Sequence, residues 1–516
     1  MESAAVPVEA GGVAPGDKGL KSGALGYLSN LVIGVASTAP GYSLAATLGF
    51  VTAVAGMGFH APAIMIVSFI PMLLIAAAYS YMNKADPDCG TSFTWVTRAM
   101  GPRLGWLTGW AIVAADVIVM ATLAYIAGVY TFLLFGLDAA ATNTLDISIA
   151  AAVWIALMTW ICWRGIELSA RIQYFLLGME IFVLALFAVV ALIQVYSGSA
   201  GLHAVHPALS WFSPFGIPGG STALIDGVLL GVFIYWGWDS GVCVNEESDN
   251  TSNGPGRAAV MSTVLLVLIY VVVSVSAQAW NGPNFLSNNS DDVLSALGGK
   301  VFGSPLDKLL IIAVLTSASA STQTTILPTA RTTLSMARFG AIPKAFGRIH
   351  PRFLTPDVST ITMGVVSLIW TLFILNVSQN VLNDSITGLG FQIAFYYGLT
   401  GFACTIYYRK EIFKSFRNFI MVGVAPFLGG LLLTGIFVKA FHDYKTTSTV
   451  VNYTGGIVGI GTPVAIGVGL LVFGAILVVV SNFVYPEFFR RKRETAPEGF
   501  LEGPATGPAV DTVTPE

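Results

Sequence analysis

Apolar stretches about as long as a membrane-spanning helix recur along this chain and are separated by short polar segments. Each approaches the roughly 20 residues that an α-helix needs to cross the hydrocarbon core of a bilayer. The strands of a membrane β-barrel would instead be short and would alternate between apolar and polar positions. The pattern predicts twelve membrane-spanning helices, at about residues 25–55, 60–82, 105–135, 147–163, 172–197, 221–245, 258–280, 307–327, 358–376, 386–408, 418–440 and 457–485.

Two of these stretches contain helix-breaking residues near their midpoints. In the first stretch, Pro40 removes a backbone donor and Gly41 lowers the cost of leaving the helix. In the sixth, Gly237 stands close to Asp239. Unpaired backbone is costly inside a bilayer, so it persists where it lines a cavity or binds something. Paired broken helices therefore predict a transport site.

The two broken stretches open the two halves of a ten-helix unit. Each half has five spans, and because five is odd the halves enter the membrane from opposite sides and are related by inverted topology. The predicted fold is an all-α integral membrane protein in which helices 1 and 6 are discontinuous and two further helices follow the repeat. The predicted organisation is an N-terminal tail at 1–24, a transport core at 25–410, helices 11 and 12 at 411–488 and a C-terminal tail at 489–516.

Composition places the chain in a membrane, since 55% of its residues are hydrophobic, 10% are charged and the mean hydropathy is +0.75. Both tails read as disordered, and the first lacks the apolar core of a signal peptide. All but four of the 25 Lys and Arg residues fall on the side that holds both tails. That side is cytoplasmic by the positive-inside rule, so we expect a multi-pass plasma-membrane protein. No basic stripe indicates a nucleic acid partner.

The first break offers groups that suit a carboxylate. The amides of Thr38, Ala39 and Gly41 would lie at the positive end of a half helix. The hydroxyls of Ser37 and Thr38 could add hydrogen bonds. The alternative is that Pro40 only kinks a packed helix.

The sixth break offers groups that suit a cation. It follows Tyr235, and Trp236 and Trp238 flank Gly237, so one ring could close over a substrate whose ammonium binds the unwound backbone. Asp239 lies near the membrane midplane, where an acid is expensive and usually marks a substrate or ion path. The alternative is that Asp239 pairs with a neighbouring amide.

Two further acids, Asp116 on the third span and Glu180 on the fifth, have no Lys or Arg at comparable depth in the sequence. Burial favours the neutral form of a carboxyl, so Glu180 could bind and release a proton as the site opens. Two alternatives remain: Glu180 stays charged and attracts a cationic substrate or metal ion, or it is a neutral side chain bonded to the first helix.

Three separated blocks resemble the amino acid, polyamine and organocation (APC) superfamily of permeases. They are Tyr235-Trp-Gly-Trp-Asp-Ser-Gly-Val-Cys-Val-Asn-Glu-Glu, Arg331-Thr-Thr-Leu-Ser-Met-Ala-Arg-Phe-Gly-Ala-Ile-Pro and the first span with Gly90-Thr-Ser-Phe-Thr-Trp-Val. The resemblance covers about 25–410. It implies the five-plus-five inverted-repeat (LeuT-type) fold, a substrate site between helices 1 and 6, and coupling to protons, to sodium or to exchange.

The resemblance also bears on single residues. Glu180 falls where several sodium-independent members have a lysine that serves the proton role. In sodium-using members, Ser and Thr of the eighth span bind the ion together with carbonyls of the first, which makes Thr316 and Ser317 candidates here. The first break departs from the common Gly-Ser-Gly pattern, since this chain has Ala36-Ser-Thr-Ala-Pro-Gly.

The leading hypothesis is a proton-coupled importer of amino acids. A carrier of polyamines or other cationic amines, an exchanger and a transporter-like sensor remain alternatives. The spans hold no His-rich, Cys-His or Ser-His-Asp arrangement, so we predict no enzyme, no cofactor and no metal site. We further expect Glu246 and Glu247, near Arg257, to form a cytoplasmic gate.

Overall fold

The structure is a computed structural model that describes residues 18–290, 292–377, 381–445, 456–457 and 460–501. The predicted tails fall partly outside this range, because 1–17 and 502–516 are not among the described residues. Helices make up 77% of the structure, which confirms the predicted all-α class.

The first half of the chain forms eight helices. The broken first span supplies α1 and α2, and the long helices α3, α5, α7 and α8 follow it, with shorter pieces between them. The bounds are α1 Tyr27–Ser37, α2 Pro40–Ala53, α3 Ala61–Ala85, α4 Ser92–Met100, α5 Pro102–Leu134, α6 Asp138–Ala141, α7 Thr144–Arg164 and α8 Ile166–Ser197.

The second half opens, after a 3₁₀ turn at Leu209–Phe212, with the short helices α9 and α10, followed by long helices. The bounds are α9 Gly220–Phe233, α10 Ser240–Cys243, a 3₁₀ turn Asn245–Glu247, α11 Gly254–Asn288, α12 Val293–Val301, α13 Lys308–Arg338, a 3₁₀ turn Lys344–Gly347, α14 Asp357–Val377 and α15 Val381–Tyr407.

The remaining elements follow the ten-helix unit. A π-helical stretch runs directly into α17, and β1 and β2 form one antiparallel pair before α18. The bounds are a 3₁₀ turn Ile412–Lys414, α16 Phe416–Asn418, a π-helix Phe419–Val424, α17 Ala425–Tyr444, β1 Gly456–Ile457, β2 Ile460–Gly461, α18 Thr462–Val484 and α19 Pro486–Phe489.

Within the described ranges, 11 spans are long and apolar enough to cross a membrane, and each overlaps a predicted span. The predicted sixth span corresponds to the shorter apolar helix α9 and the break after it, so the count of twelve stays a prediction. The first span is almost wholly buried, whereas α18 is mostly exposed at the periphery. The broken helix therefore lies at the centre of the bundle, where it contacts α8, α11 and α13.

Candidate functional site

The first span is interrupted between α1 and α2, where Ala39 takes the left-handed backbone conformation with φ 46°. Such a conformation costs a non-glycine residue about 1 kcal/mol or more, so the surrounding packing must hold it. The amides of Thr38 and Ala39 donate to the carbonyls of Val35 and Ala36 at 3.2 and 3.1 Å, and Pro40 then begins α2. Two of the three predicted carboxylate donors are thus used within the last turn of α1.

The third predicted donor, the amide of Gly41, donates to Glu180 Oε1 at 2.6 Å. The side chain of Glu180 is fully buried, and its second oxygen, Oε2, has no hydrogen-bond partner among the described residues. Ser317 lies at the same place, since its hydroxyl accepts from the amide of Tyr42 at 3.0 Å. A carboxylate of the protein itself thus occupies the N-terminal end of α2, where the sequence predicts the carboxylate of a substrate.

The other predicted ion-coupling residues make different contacts. The hydroxyl of Thr316 donates to two carbonyls of its own helix, α13. Asp116 on α5 is buried and accepts a hydrogen bond from the hydroxyl of Thr329 on α13. Only Glu180 and Ser317 therefore meet at the first break.

The sixth span is interrupted between the end of α9 at Phe233 and the start of α10 at Ser240. Gly237 has φ +116°, and a β-carbon there would lie 2.7 Å from the carbonyl oxygen of Ser37, so both conformation and space require glycine. The hydroxyls of Ser37 and Ser240 are 2.7 Å apart, and Ser321 donates to the carbonyl of Ser37 at 2.7 Å. The two breaks are in direct contact.

Asp239 is buried, and its carboxylate accepts hydrogen bonds from two tyrosine hydroxyls of α15. The oxygen Oδ1 is 2.9 Å from the hydroxyl of Tyr397, and Oδ2 is 3.1 Å from that of Tyr396. Trp238 stacks on Tyr397 with ring centres 5.1 Å apart, and the indole N–H of Trp236 donates to the hydroxyl of Tyr396. Both carboxylate oxygens of Asp239 are thus bound by hydroxyls of α15, and the alternative that Asp239 pairs with a neighbouring amide stays open.

Sequence reasoning missed these two tyrosines, although an adjacent pair of hydroxyl-bearing rings inside an apolar span is a usable signal. The sequence also predicts that Tyr235 contacts the substrate. In the structure the hydroxyl of Tyr235 donates to the carbonyl of Met65 on α3 at 2.8 Å. Tyr270 of α11 donates to the carbonyl of Ile234 and so binds part of the unwound backbone. These contacts anchor the break to its neighbours.

Two ion pairs lie beyond the sixth break. Glu247 forms a bidentate pair with Arg331 at 2.9 Å for each bond, and both side chains are buried. Glu246 pairs with Lys18. Arg257, which is near these glutamates in the sequence, lies exposed in the first turn of α11, whereas Arg331 projects from α13 into the interior and pairs with Glu247. The cytoplasmic gate or cap stays a prediction.

Lys18 joins the chain's N-terminal segment to this region. Its ammonium is 2.8 Å from Asp88 and also contacts Glu246. Burial alone would lower the pKa of Lys18, but these carboxylates raise it well above its usual value, and the ammonium holds the pKa of Asp88 below its own usual value against burial. Asp88, Cys89 and Glu246 have the spacing of a metal site, yet a lysine ammonium lies between the two carboxylates.

A second charged cluster involves the C-terminal segment. Arg98 on α4 pairs with Asp86 at 2.7 Å and with Glu494 at 2.8 Å, and the amide of Glu494 donates to the carbonyl of Arg98. Burial raises the pKa of Asp86 to about 7, although Arg98 acts in the opposite direction. The N-terminal segment thus contacts the loop between α3 and α4 through Asp88, and the C-terminal segment contacts α4 through Arg98.

The bundle of apolar spans and the two contacting breaks define a multi-pass membrane protein of the secondary-transporter class. A family model described as amino acid permease matches residues 25–463, and the chain belongs to that family.

Individual relatives are distant. The chain is 26% identical to cationic amino acid transporter 3, mitochondrial, of Arabidopsis thaliana, over 61% of this chain and 52% of the relative. It is 22% identical to the branched-chain amino acid permease BcaP of Lactococcus lactis, over 57% and 64%. It is 19% identical to the low-affinity putrescine importer PlaP of Escherichia coli, over 74% and 81%. The matches to the first two span about half to two thirds of those relatives' length.

Proposed function

We propose that this protein is a secondary transporter that imports amino acids across the plasma membrane by alternating access and is coupled to protons. The observation that carries the proposal is the hydrogen bond between Glu180 and the amide of Gly41 at the first break. Both termini and the ion pairs of Glu246 and Glu247 lie on the cytoplasmic side in this proposal. In the alternating-access cycle those pairs close the inner end of the pathway.

Glu180 is suited to couple a proton to a substrate carboxylate. Among the described residues no Lys or Arg forms an ion pair with it, and its Oε2 is available to a proton. A protonated carboxyl is a weaker acceptor than a carboxylate, so protonation loosens the bond to Gly41. The freed amide can then bind the substrate carboxylate at the end of α2. Protonation of Glu180 therefore favours binding of the substrate, and binding of the substrate favours protonation of Glu180, so the two enter the site together.

Carriage of a cationic amine is the second candidate. Asp239 supplies a buried carboxylate, and the rings of Trp238 and Tyr397 stand beside it. Aromatic faces and a carboxylate bind ammonium groups. The similarity to a putrescine importer agrees with this candidate, and an exchanger or a sensor would use the same groups.

Uptake into liposomes by the purified protein tests the proposal. A panel of labelled amino acids and putrescine is offered with an inward proton gradient, with an inward sodium gradient and with neither. We expect amino acid uptake that the proton gradient increases. Uptake of putrescine alone would favour the second candidate, and stimulation by sodium alone would contradict proton coupling.

The Glu180→Gln variant identifies the coupling residue. It cannot exchange a proton, so we expect it to lose stimulation by the gradient while it still exchanges internal for external amino acid. Glu167→Gln is the matched control, because Glu167 lies on the same helix and is exposed. Gradient-driven uptake by Glu180→Gln at the wild-type rate would exclude this role.

A further inference from the structure

An apolar groove lies on the outer surface of the bundle, between α7 and α14. Its volume is about 350 Å³, and its lining includes Ile155, Thr159, Trp160, Ile361, Val365 and Leu368. A β-carbon on Gly364 would lie 2.4 Å from the hydroxyl of Thr159, so the two helices touch at the floor of the groove. About half of the surface of Trp160, Ile361 and Val365 remains exposed. The groove therefore faces the lipid and not the transport site.

Two arginines stand at one end of this groove. The guanidinium carbon of Arg164 lies 5.4 Å from the ring centre of Trp160, which lines the groove, and 5.1 Å from that of Phe353. The guanidinium carbon of Arg352 lies 5.6 Å from the ring centre of Phe353. Both guanidinium groups therefore contact the ring of Phe353, next to the apolar lining of the groove.

No carboxylate among the described residues neutralises the charge of these two arginines. Within the described ranges, neither Arg164 nor Arg352 forms an ion pair with a carboxylate. The nearby acid Asp357, at the start of α14, is already paired with Arg348 at 2.8 Å. The end of the groove is consequently positive.

We infer that the groove binds one anionic phospholipid, whose acyl chain lies between α7 and α14 and whose phosphate contacts Arg164 and Arg352. The groove suits this occupant in both shape and charge, because its apolar lining ends beside the two guanidinium groups. The end of α7 is cytoplasmic in the proposed topology, and anionic lipids are enriched in the cytoplasmic leaflet. Tryptophans such as Trp160 are common at this depth.

Native mass spectrometry of the purified full chain tests the inference, with phosphatidylglycerol and phosphatidylcholine of identical acyl chains as probes. We expect one phosphatidylglycerol to be retained more tightly than phosphatidylcholine. Replacing both Arg164 and Arg352 by Gln should weaken phosphatidylglycerol binding about thirtyfold, at about 1 kcal/mol for each charge. Ala156→Trp, which fills the groove from its exposed side, should weaken both lipids.

Controls separate lipid binding from other causes. Arg103→Gln removes an exposed arginine at the start of α5 and should change nothing, and the thermal unfolding midpoint of each variant reports its folding. Equal retention of the two lipids, or unchanged binding by the double arginine variant, would overturn the inference. Binding of glycerol 3-phosphate alone with the same affinity would also overturn it, because the occupant would then be a free phosphate. So would a dimer that Ala156→Trp dissociates, because the occupant would then be a second copy of this chain.

Discussion

Two buried acids beside the proposed transport site are held in different ways. Asp239 has both oxygens bonded to tyrosine hydroxyls, whereas Glu180 has one oxygen on a backbone amide and the other without a partner among the described residues. A carboxylate with two donors is stabilised in its charged form, while one with a free oxygen leaves a place for a proton. This difference assigns the proton to Glu180 in the proposed mechanism and leaves Asp239 as an anchor for α15.

Substitution of Gly237 should separate the two breaks. In Gly237→Ala the new β-carbon meets the carbonyl of Ser37, and the left-handed conformation adds strain of about 1 to 3 kcal/mol. We expect uptake to fall about tenfold or more, with the protein still inserted in the membrane. Gly178→Ala on α8 is the control, because nothing lies within 4 Å of its added carbon. Equal activity of both variants would show that the close contact is dispensable.

The pair of Glu247 and Arg331 should contribute strongly to stability, because breaking a buried pair leaves an uncompensated charge. We expect Glu247→Gln and Arg331→Met each to cost about 3 to 5 kcal/mol, and the double variant to cost less than their sum. Thermal unfolding in detergent measures the effects. The exposed pair of Lys21 and Glu167 provides the comparison, since Lys21→Met should cost at most about 1 kcal/mol. Additive effects at Glu247 and Arg331 would contradict their coupling.

At the scale of elements, the described part of the N-terminal segment forms a strap across one end of the bundle. Leu25 donates its amide to the carbonyl of Glu247, and Leu20 packs against Cys89 and Leu334. The strap thus touches the 3₁₀ turn after α10, the loop before α4 and α13 together. Any movement of α10 relative to α13 must displace it.

Release of the strap should expose Cys89. In a variant that keeps Cys89 as the single cysteine, Lys18→Met leaves the carboxylates of Asp88 and Glu246 without their shared cation. We expect the rate of Cys89 modification by a maleimide to rise about tenfold or more, because local opening becomes less costly. Lys21→Met is the control, since Lys21 pairs at the surface. An unchanged rate in Lys18→Met would show that the strap does not cover this cysteine.

The elements were more predictable than the contacts between them. Pro40 and Gly237 reveal the breaks because a missing donor and a left-handed glycine act on their own backbone. The partners of Glu180, Asp239 and Glu247 lie 139, 158 and 84 residues away, so no local pattern indicates them. The sequence places Arg257 near Glu247 but cannot indicate Arg331, whereas the 11 long apolar helices, whose pattern is local, each overlap a predicted span.

At the scale of the whole molecule, the least exposed span is the broken one, and the spans with the most lipid-facing surface lie outside it. Both chain ends, as far as they are described, return to the same region, because Lys18 pairs with Asp88 in the loop before α4 and Glu494 pairs with Arg98 on α4. Several buried charged groups therefore cluster at this end of the bundle. Stability of the whole protein should respond to their titration.

The pH dependence of stability should contain a contribution from Asp86. Its pKa of about 7 lies above the usual value near 4, so between those values the folded protein holds a proton that the unfolded chain has lost. The contribution of Asp86 to the free energy of unfolding is therefore largest below about pH 4 and is lost as the pH rises to about 7. As the pH rises through that window, we expect the thermal unfolding midpoint of Asp86→Asn to fall less steeply than that of the wild type. Asp138→Asn, at an exposed site, should keep the wild-type slope, and identical slopes for all three proteins would contradict the assignment.

The contact between the two breaks involves a glycine and a main-chain carbonyl, those of Gly237 and Ser37. Most side chains around it can therefore change without separating the two breaks. The branched-chain amino acid permease and the putrescine importer described above both share detectable similarity with this chain, although they are named for different substrates. In the proposed transporter, a different substrate preference can thus arise from the neighbouring rings and acids without any change in this main-chain contact.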